Sequence, residues 1–330
     1  MSEPPRGKKP FQDAAPLPET LEATGRDLKL AKRPTSTAPR KGQARPGYGR
    51  NAVTYWRKGM PSQNFGDYLS EILYDALCGR TRARGRSHEF GQLFLIGSVI
   101  SDWHIRKALA ANDDDGQAQI GFWGCGMRGE TPIAPDLLAR CRFMGVRGPL
   151  TRVGLDLPPE TPQGDPGLLM PLIYQPTIDA SRAGGTLCMP HFLDTLSTSD
   201  LLLKSGADAV LRPGIRARRP ALLETIDAIA EASFVLAGAL HGAIVAAAYG
   251  IPFAYFDSGY VNAPFKWRDF AASLSIPPSF ATNVAEGRQI YDDQIRGAMR
   301  MPKLEALLRC APIPAPEALL HRAKAHDDLG

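Results

Sequence analysis

The sequence predicts an α/β protein built from two doubly wound, Rossmann-like domains. From residue 51 onward, short β-branched or aromatic runs alternate with helical stretches roughly every 25 residues, a pattern typical of parallel sheets. Small residues repeatedly follow the ends of the apolar runs. Pro, Gly and Ser interrupt the alternation over residues 174–185, as expected of a boundary between domains. We therefore expect domains at residues 51–178 and 179–330 that face each other across a cleft.

The first domain is predicted to contain four strands and three helices. The strands are short runs rich in β-branched or aromatic residues, and we place them at residues 52–56, 93–96, 119–123 and 142–146. The helices are placed at residues 67–77, 135–139 and 149–153. Asp67 is suited to cap the first of these helices, and Pro149 is suited to the first turn of the third.

The second domain is predicted to continue the alternation. Its strands are placed at residues 186–189, 209–211, 233–237 and 253–256, and its helices at residues 199–204, 221–232 and 240–249. Residues 234–256 form the longest apolar stretch, but Pro252 and several Gly divide it into strand, helix and strand rather than one membrane span. Later helices around residues 266–274 and 293–299 are expected to pack back over the joint between the domains.

The positive charge of the chain is concentrated in its first 50 residues. The net charge is +5 overall, of which residues 1–50 carry +6 and the remainder −1. Because this segment is rich in Pro, Lys and Arg, we expect a disordered basic tail. No base-stacking aromatic residues are interleaved with its charges, so no nucleic-acid partner is expected. Peripheral association of the tail with the inner membrane stays open.

The sequence predicts a cytoplasmic protein without a metal site. Its N-terminus lacks the apolar core of a signal peptide, and its five Cys form no CxxC pair, which agrees with a reducing compartment. The Asp-Asp-Asp-Gly segment at residues 113–116 lacks the other ligands of a calcium site, and we interpret it as a solvated turn. We expect the protein in the cytoplasm or at the cytoplasmic face of the inner membrane.

His241 is the leading candidate for chemistry. Apart from two tyrosines, it is the only ionisable residue in the apolar stretch 234–256. It falls in the first turn of a predicted helix. That position lies just past a strand end, where open parallel sheets bind their ligands. His191 follows the strand at residues 186–189 in the same way, and Arg212 follows the next strand.

Two arginines are predicted to reach the cleft from the first domain. Arg147 ends a strand, so its planar guanidinium is placed to bind a carboxylate or phosphate, although a salt bridge to a neighbour is the structural alternative. Residues 124–129 match G-x-G-x-x-G, but Pro132 and Pro135 break the helix that a dinucleotide site needs. We interpret this segment as a tight turn that presents backbone N–H groups and Arg128.

A third group of cleft candidates precedes or follows predicted helices. In Asn64-Phe-Gly66-Asp67, Asp67 is a helix cap, and Gly66 would allow a ligand to approach the backbone closely. Gly97, after the second strand, is placed in the same group. Asp165, in a Gly-Asp-Pro segment, either caps the apolar run that follows or orients a base in the cleft.

Five segments together resemble the polysaccharide pyruvyl transferase family over roughly residues 51–275. They are Asn-Phe-Gly-Asp at residue 64, Val-Arg-Gly-Pro-Leu-Thr at 146, Gly-Asp-Pro at 164, Met-Pro-His at 189 and Ala-Leu-His-Gly-Ala-Ile-Val at 239, in the order of the family. The bacterial exopolysaccharide branch that modifies succinoglycan-type polymers is the most similar, partly because of Phe-Lys-Trp-Arg-Asp-Phe at 265–270.

The resemblance implies a glycosyltransferase-B-like fold and an enzyme that installs pyruvate as a cyclic ketal on a glycan. Phosphoenolpyruvate is the implied donor, no cofactor is implied, and the acceptor is a glycan or lipid-linked oligosaccharide. His241 is the implied catalytic residue. Many members carry Arg two positions before that histidine, where this chain has Ala239, so other residues must hold the donor. The candidates are Arg147, Arg212, His191, Lys266, Arg268 and Gly242, with Asn64, Gly66, Asp67, Gly97, Arg128 and Asp165 lining the cleft.

Two other functions remain open from the sequence. A nucleotide-sugar glycosyltransferase of similar fold is one, because a fold does not fix a function. A non-catalytic scaffold of polysaccharide assembly is the other, suggested by Ala239 and the basic tail.

Overall fold

The computed structural model describes residues 53–78, 90–112, 117–179 and 183–329, which form helices and mainly parallel strands. The α/β class predicted from the sequence is therefore confirmed. The predicted disordered tail and the predicted turn at residues 113–116 lie outside the described residues. Within the described ranges, no helix combines the length and the apolar character needed to cross a membrane.

The strands are short and the helices range from one turn to four. The strands are β1 (Ser62–Asn64), β2 (Gln92–Phe94), β3 (Ile120–Phe122), β4 (Cys141–Phe143), β5 (Thr186–Met189), β6 (Ala209–Val210), β7 (Gly214–Arg216), β8 (Phe234–Ala237), β9 (Phe253–Phe256) and β10 (Phe280–Ala281). The helices are α1 (Phe65–Cys78), α2 (Asp102–Asn112), α3 (Pro135–Leu138), α4 (Pro149–Gly154), α5 (Met170–Ile173), α6 (Thr198–Ser205), α7 (Arg219–Glu231), α8 (Leu240–Ala248), α9 (Pro264–Ser273), α10 (Val284–Ile290), α11 (Leu304–Arg309) and α12 (Glu317–Leu329). A 3₁₀ turn at Pro166–Leu169 precedes α5, and a π-helical turn at Tyr291–Ile295 follows α10.

The first sheet is parallel, with strand order β2-β3-β4. Its register aligns Phe94, Phe122 and Phe143, whose rings stack at centroid distances of 5.1 Å and 5.5 Å. These aromatic side chains fix the register, because a slip of one residue would turn them to the opposite face. The strand predicted at residues 52–56 is wrong except for an isolated parallel bridge from Val53 to Leu93, since the chain turns immediately afterwards.

The second sheet is also parallel and has the strand order β10-β9-β8-β5-β6. Strands β8 and β9 are buried at every position, as expected of strands covered on both faces. Numbered from β5, this is the 2-1-3-4-5 order of doubly wound sheets, in which the direction of winding reverses between β5 and β8. Ligands bind outside the carboxyl ends of the strands at such a reversal.

An antiparallel pair of strands was not predicted. β1 pairs with β7, with Asn64 opposite Gly214, and so joins the segment before α1 to the second half of the chain. Helix α1 also packs against α7 and α8. The larger hydrophobic core accordingly combines side chains from both sides of the predicted domain boundary, such as Leu69 and Ile244. The predicted division into two domains across a cleft stays a prediction.

Of the two later helices that the sequence predicts, the one around residues 266–274 is confirmed as α9 and the other is wrong. The helix predicted at residues 293–299 is instead the π-helical turn at Tyr291–Ile295 that continues α10. Helix α11 packs against the 3₁₀ turn, and α12 packs against α5 and α11. The indole Nε1 of Trp123 donates to the Leu307 carbonyl at 2.9 Å, which ties α11 to the first sheet.

Candidate functional site

The candidate site lies at the carboxyl edge of the second sheet. Strand β5 ends at Met189 and is followed by His191, and β8 ends at Ala237 and is followed by α8, whose second residue is His241. Both predicted histidines therefore follow the two strands between which the winding reverses, where doubly wound sheets place ligands.

His241 lies directly against the backbone of Gly66. A Cβ built on Gly66 would come within 2.0 Å of His241 Nδ1, so only glycine fits at the first turn of α1. Asn64 Oδ1 accepts a hydrogen bond from the Gly66 N–H at 3.3 Å and holds this turn. The His241 side chain is 12 % exposed, although its Nε2 is buried.

Asp165 faces the other ring nitrogen of His241. Its Oδ1 accepts from the Gly167 N–H at 2.9 Å and caps the 3₁₀ turn, as one of the two interpretations of the sequence required. Its Oδ2 lies 3.8 Å from His241 Nε2, and neither of these buried atoms has a hydrogen-bond partner. The structure thus allows both predicted roles, since one oxygen caps and the other is free to orient the imidazole.

Burial shifts both members of this pair toward their neutral forms. It raises the pKa of Asp165 to about 6, against the opposing effect of the Arg147 charge. Burial also lowers the pKa of His241 to about 3, and the positive charges of Arg147 and Lys266 lower it further. At neutral pH the unliganded site therefore contains a neutral imidazole beside a carboxylate.

Arg147 is fully buried beneath the site. Its Nη1 donates to Ser98 Oγ at 2.6 Å, and its Nε lies 3.3 Å from Asp269 Oδ2. A Cβ on Gly126 would come within 2.1 Å of Nη2, so the guanidinium occupies space that this glycine leaves. The salt-bridge alternative for Arg147 is therefore what the structure contains, and direct contact with a donor stays a prediction.

Lys266, Asp67 and Arg128 form a second charged group. Lys266 Nζ donates to Asn262 Oδ1 at 3.2 Å. Burial, followed by the charges of Arg147 and Arg128, lowers the pKa of Lys266 to about 7, while the Asp67 charge opposes this shift. Burial raises the pKa of Asp67 to about 6, although Asn64 Nδ2 donates to its Oδ2 at 2.9 Å. The prediction that Asp67 caps α1 is wrong, because the helix begins at Phe65 and Asp67 lies within its first turn.

Two further cleft candidates border this group. Gly97 has a φ of +114°, a conformation that favours glycine, and a Cβ there would lie 3.4 Å from Asp67 Oδ1. Arg128 is exposed, and its charge acts on Asp67, Lys266 and His191. The structure thus brings the predicted residues from the first half of the chain close to those around His241.

His191 lies at the edge of the same group. Its ring centroid is 5.2 Å from that of Tyr260, and its Nδ1 accepts from the Leu193 N–H at 3.1 Å. Burial lowers its pKa to about 3, with further contributions from the charges of Lys266 and Arg128. The imidazole is therefore neutral at neutral pH.

Three predicted donor-binding residues make other contacts. Arg212 donates to the carbonyl oxygens of Asp194 and Leu196, and so holds the loop after β5. Arg268 pairs with exposed Glu130. Gly242 allows close packing of α8 on β5, because a Cβ there would lie 2.7 Å from Met189 Sδ. Donor binding by these three residues stays a prediction.

Sequence reasoning did not identify several residues that shape the site. Asp269 accepts from the Thr151 N–H at 2.9 Å and from Thr151 Oγ1 at 2.7 Å, in addition to pairing with Arg147. Its position three residues after Lys266, one helical turn along α9, is the one signal that would have indicated it. Tyr260 and Asn262 follow β9 as His191 follows β5, and the strand ends could have indicated both.

The arrangement can move a proton beside a bound anion. A neutral imidazole accepts a proton, the neighbouring carboxylate stabilises the resulting imidazolium, and the nearby cations attract a negatively charged substrate. Among the described residues, no group of His, Cys, Asp and Glu side chains is suited to hold a metal ion.

A comparison with protein families matches the part of the chain that carries most of these residues. The family model described as polysaccharide pyruvyl transferase matches residues 64–260, which is more than half of the chain. The matched region begins at Asn64 and includes Asp165, His191 and His241. No curated protein and no solved structure matches the chain significantly. The chain therefore belongs to the polysaccharide pyruvyl transferase family.

Proposed function

We propose that this protein transfers the pyruvyl group of phosphoenolpyruvate to two hydroxyl groups of a glycan, as a ketal, during exopolysaccharide biosynthesis. The observation that supports this proposal most directly is the buried pair of His241 and Asp165. Their facing atoms lie 3.8 Å apart without hydrogen-bond partners, within the electrostatic reach of Arg147 and Lys266. Unsatisfied buried polar atoms are costly, and a catalytic role is one reason for a protein to retain them.

The proposed reaction balances without a cofactor. The methylene carbon of the donor gains a proton and becomes a methyl group, and the two sugar hydroxyls form two C–O bonds to the central carbon. The bond from that carbon to the phosphate oxygen breaks. One hydroxyl proton thus appears in the methyl group, the other stays with the phosphate, and the products are the ketal and hydrogen phosphate.

His241 is the proposed base for the attacking hydroxyl. The carboxylate of Asp165 faces Nε2, so it favours the tautomer with a proton on Nε2 and leaves Nδ1 as the acceptor. The negatively charged donor would raise the pKa of His241 from its low value, because an opposite charge stabilises the imidazolium. His241 would then carry the hydroxyl proton and deliver it to the methylene carbon of the donor.

Lys266 and Arg128 are the proposed cations for the carboxylate and phosphate of the donor. Arg128 is exposed, and Lys266 is buried but keeps 8 % exposure, whereas Arg147 has none. Arg147 would act through its charge, which reaches both Asp165 and His241. These cations would take the place of the arginine that many family members carry at the position of Ala239. They would also stabilise the departing phosphate.

We place the reaction in the cytoplasm, with a glycan or lipid-linked oligosaccharide as the acceptor. The basic segment of residues 1–50 would favour peripheral association with the anionic face of the inner membrane. Removal of these residues should then reduce co-sedimentation with anionic vesicles while turnover of a soluble acceptor persists. Equal sedimentation of both forms would contradict the association.

The test is acceptor-dependent release of phosphate from phosphoenolpyruvate. Exopolysaccharide oligosaccharides, treated with mild acid to remove existing ketals, serve as acceptors, and mass spectrometry detects the added ketal. We expect turnover by the wild type, loss of turnover in His241→Ala, and retention in His321→Ala, a control at an exposed histidine of α12. Full activity of a folded His241→Ala variant would refute the mechanism. A thermal shift with nucleotide sugars but not with phosphoenolpyruvate would favour a glycosyltransferase instead.

A further inference from the structure

Four ring side chains form a partly exposed strip beside the candidate site. We call the rings of Trp56, Phe192, His191 and Tyr260 the ring strip. The centroids of Trp56 and Phe192 are 5.1 Å apart, and those of His191 and Tyr260 are 5.2 Å apart. Trp56 is 39 % exposed and Tyr260 is 37 % exposed, so each presents a ring surface to solvent. His191 and Phe192 are half-buried behind these two rings, and exposed aromatic rings that border a site are suited to bind a ligand.

The loop that carries Trp56 is held in one conformation. The side-chain amide of Gln63, which is buried, donates to the carbonyl oxygens of Arg57 and Met60 at 2.7 Å and 2.6 Å. Arg57 has a φ of +61°, which is unfavourable for a residue with a Cβ. The Arg57 guanidinium lies 5.5 Å from the Trp56 ring and 5.7 Å from the Phe192 ring. The two rings are therefore preorganised by contacts that need no ligand.

The loop that carries His191 and Phe192 is equally constrained. Arg212 donates to two carbonyl oxygens of this loop, and Ser258 donates to the carboxylate of Asp194. Phe192 packs over Gly214 of β7, where a Cβ would lie 3.5 Å from the ring. Arg212 therefore positions this loop and, with it, the two rings of the ring strip that the loop carries.

The ring strip is continuous with the residues proposed to bind the donor. Asn262 Nδ2 donates to the Tyr260 hydroxyl at 3.3 Å, and Asn262 Oδ1 accepts from Lys266 Nζ at 3.2 Å. The charge of Lys266 also acts on His191. The pair of Tyr260 and His191 thus adjoins the charged group around Lys266, and Phe192, the next residue after His191 in the chain, carries the contact to Trp56.

We infer that the ring strip binds the acceptor glycan by stacking against its pyranose rings. A pyranose presents an apolar C–H face and a polar rim, which fits aromatic rings bordered by the guanidinium of Arg57 and the hydroxyl of Tyr260. A protein partner would require a larger continuous apolar surface than four rings interrupted by polar groups. The inference rests on the proposed function, because the family match indicates a glycan acceptor.

The first experiment measures glycan binding without the donor. The full-length protein is applied to a microarray of bacterial exopolysaccharide oligosaccharides, and the affinity for the best binder is measured by isothermal titration calorimetry. We expect Trp56→Ala and Tyr260→Ala each to weaken binding roughly ten-fold, and Trp56→Phe to restore most of it. Trp103→Ala is the matched control, because Trp103 is 56 % exposed on α2 and its ring contacts are with His104 and Lys107.

The second experiment separates the ring strip from the donor site. With the same oligosaccharide as acceptor, Trp56→Ala should raise the KM for the acceptor and leave the KM for phosphoenolpyruvate unchanged. Wild-type affinity in both alanine variants, or no glycan bound by the wild type, would overturn the inference. Glycan binding that depends on Trp56, without turnover of phosphoenolpyruvate, would instead contradict the proposed function and leave the ring strip standing.

Discussion

Arg147 and Asp269 form an ion pair that is buried at both ends, with Nε and Oδ2 3.3 Å apart and both side chains at 0 % exposure. The pair connects the end of the first sheet to helix α9, which also carries Lys266. A Cβ on Gly148 would come within 2.1 Å of the Asp269 carbonyl oxygen, so the two elements are in direct backbone contact. Helix α9 thus positions two cations of the site: Arg147, through its ion pair with Asp269, and Lys266, which lies on the helix itself.

Removal of the carboxylate of Asp269 should destabilise the protein strongly. Asp269→Ala leaves the buried Arg147 charge unpaired, which costs about 3–5 kcal/mol in the free energy of unfolding. Urea denaturation followed by circular dichroism measures this loss. Glu130→Ala, which breaks the exposed pair with Arg268, is the control and should change little. Equal stability of the two variants would show that the buried pair is not needed.

Gly66→Ala should displace His241 and reduce turnover. The added methyl group would overlap the imidazole at 2.0 Å from Nδ1, so the ring must move or the turn must open. We expect at least about a hundred-fold loss of turnover, because small displacements of a catalytic group have effects of this size. Gly129→Ala is the matched control, since nothing lies within 4 Å of a Cβ there. Comparable activity of both variants would be incompatible with the role of His241.

Donor binding should weaken as the pH rises above about 7. Burial and neighbouring cations lower the pKa of Lys266 to about 7, so the ammonium that attracts the donor is lost above this pH. The KM for phosphoenolpyruvate should rise by up to about ten-fold per pH unit, because above this pH the binding of each donor molecule requires the uptake of one proton by Lys266. Isothermal titration in buffers of different ionisation enthalpy measures that proton uptake. In Lys266→Arg the side chain stays charged, so the KM should no longer depend on pH in this range. If the dependence were unchanged in this variant, a group other than Lys266 would cause it.

Turnover should increase as the pH rises through about 6. Burial raises the pKa of Asp165 to about 6, and the carboxylate supports a protonated His241 only when it is ionised. Asp165→Asn should lower kcat by about ten- to a hundred-fold and remove this acidic limb. Asp67 has a pKa raised to a similar value, so Asp67→Asn is measured in parallel. If only Asp67→Asn removed the limb, the assignment to Asp165 would be wrong.

The parts of the fold that the sequence predicts are those with strong local signals. Strands β5 and β9 begin and end where predicted, and α8 begins at Leu240 as predicted, because apolar runs and Pro252 define these limits. The pairing of β1 with β7 was missed, since each has three residues and polar or charged side chains among them. Their pairing depends on contacts between distant segments, which no local pattern reports.

In the candidate site, too, the features with local sequence signals were predictable and the contacts between distant segments were not. The location of His241 was predictable because a strand end and a helix start are visible in the sequence around it. The pairing of Arg147 with Asp269 was not, because the two residues are distant in the chain and either could have faced solvent. The contact of Gly66 with the imidazole was also beyond sequence reasoning, which assigned the space at this glycine to a ligand.

The β1–β7 pairing also bears on how the chain can be dissected. A fragment that starts at residue 179 would retain His241 but would lack α1, Gly66 and Asp165, which lie on two sides of the imidazole. Neither half alone can build the environment of this histidine. Co-expression of the two pieces, rather than purification of either, is the route by which a split form of the enzyme would regain its chemistry.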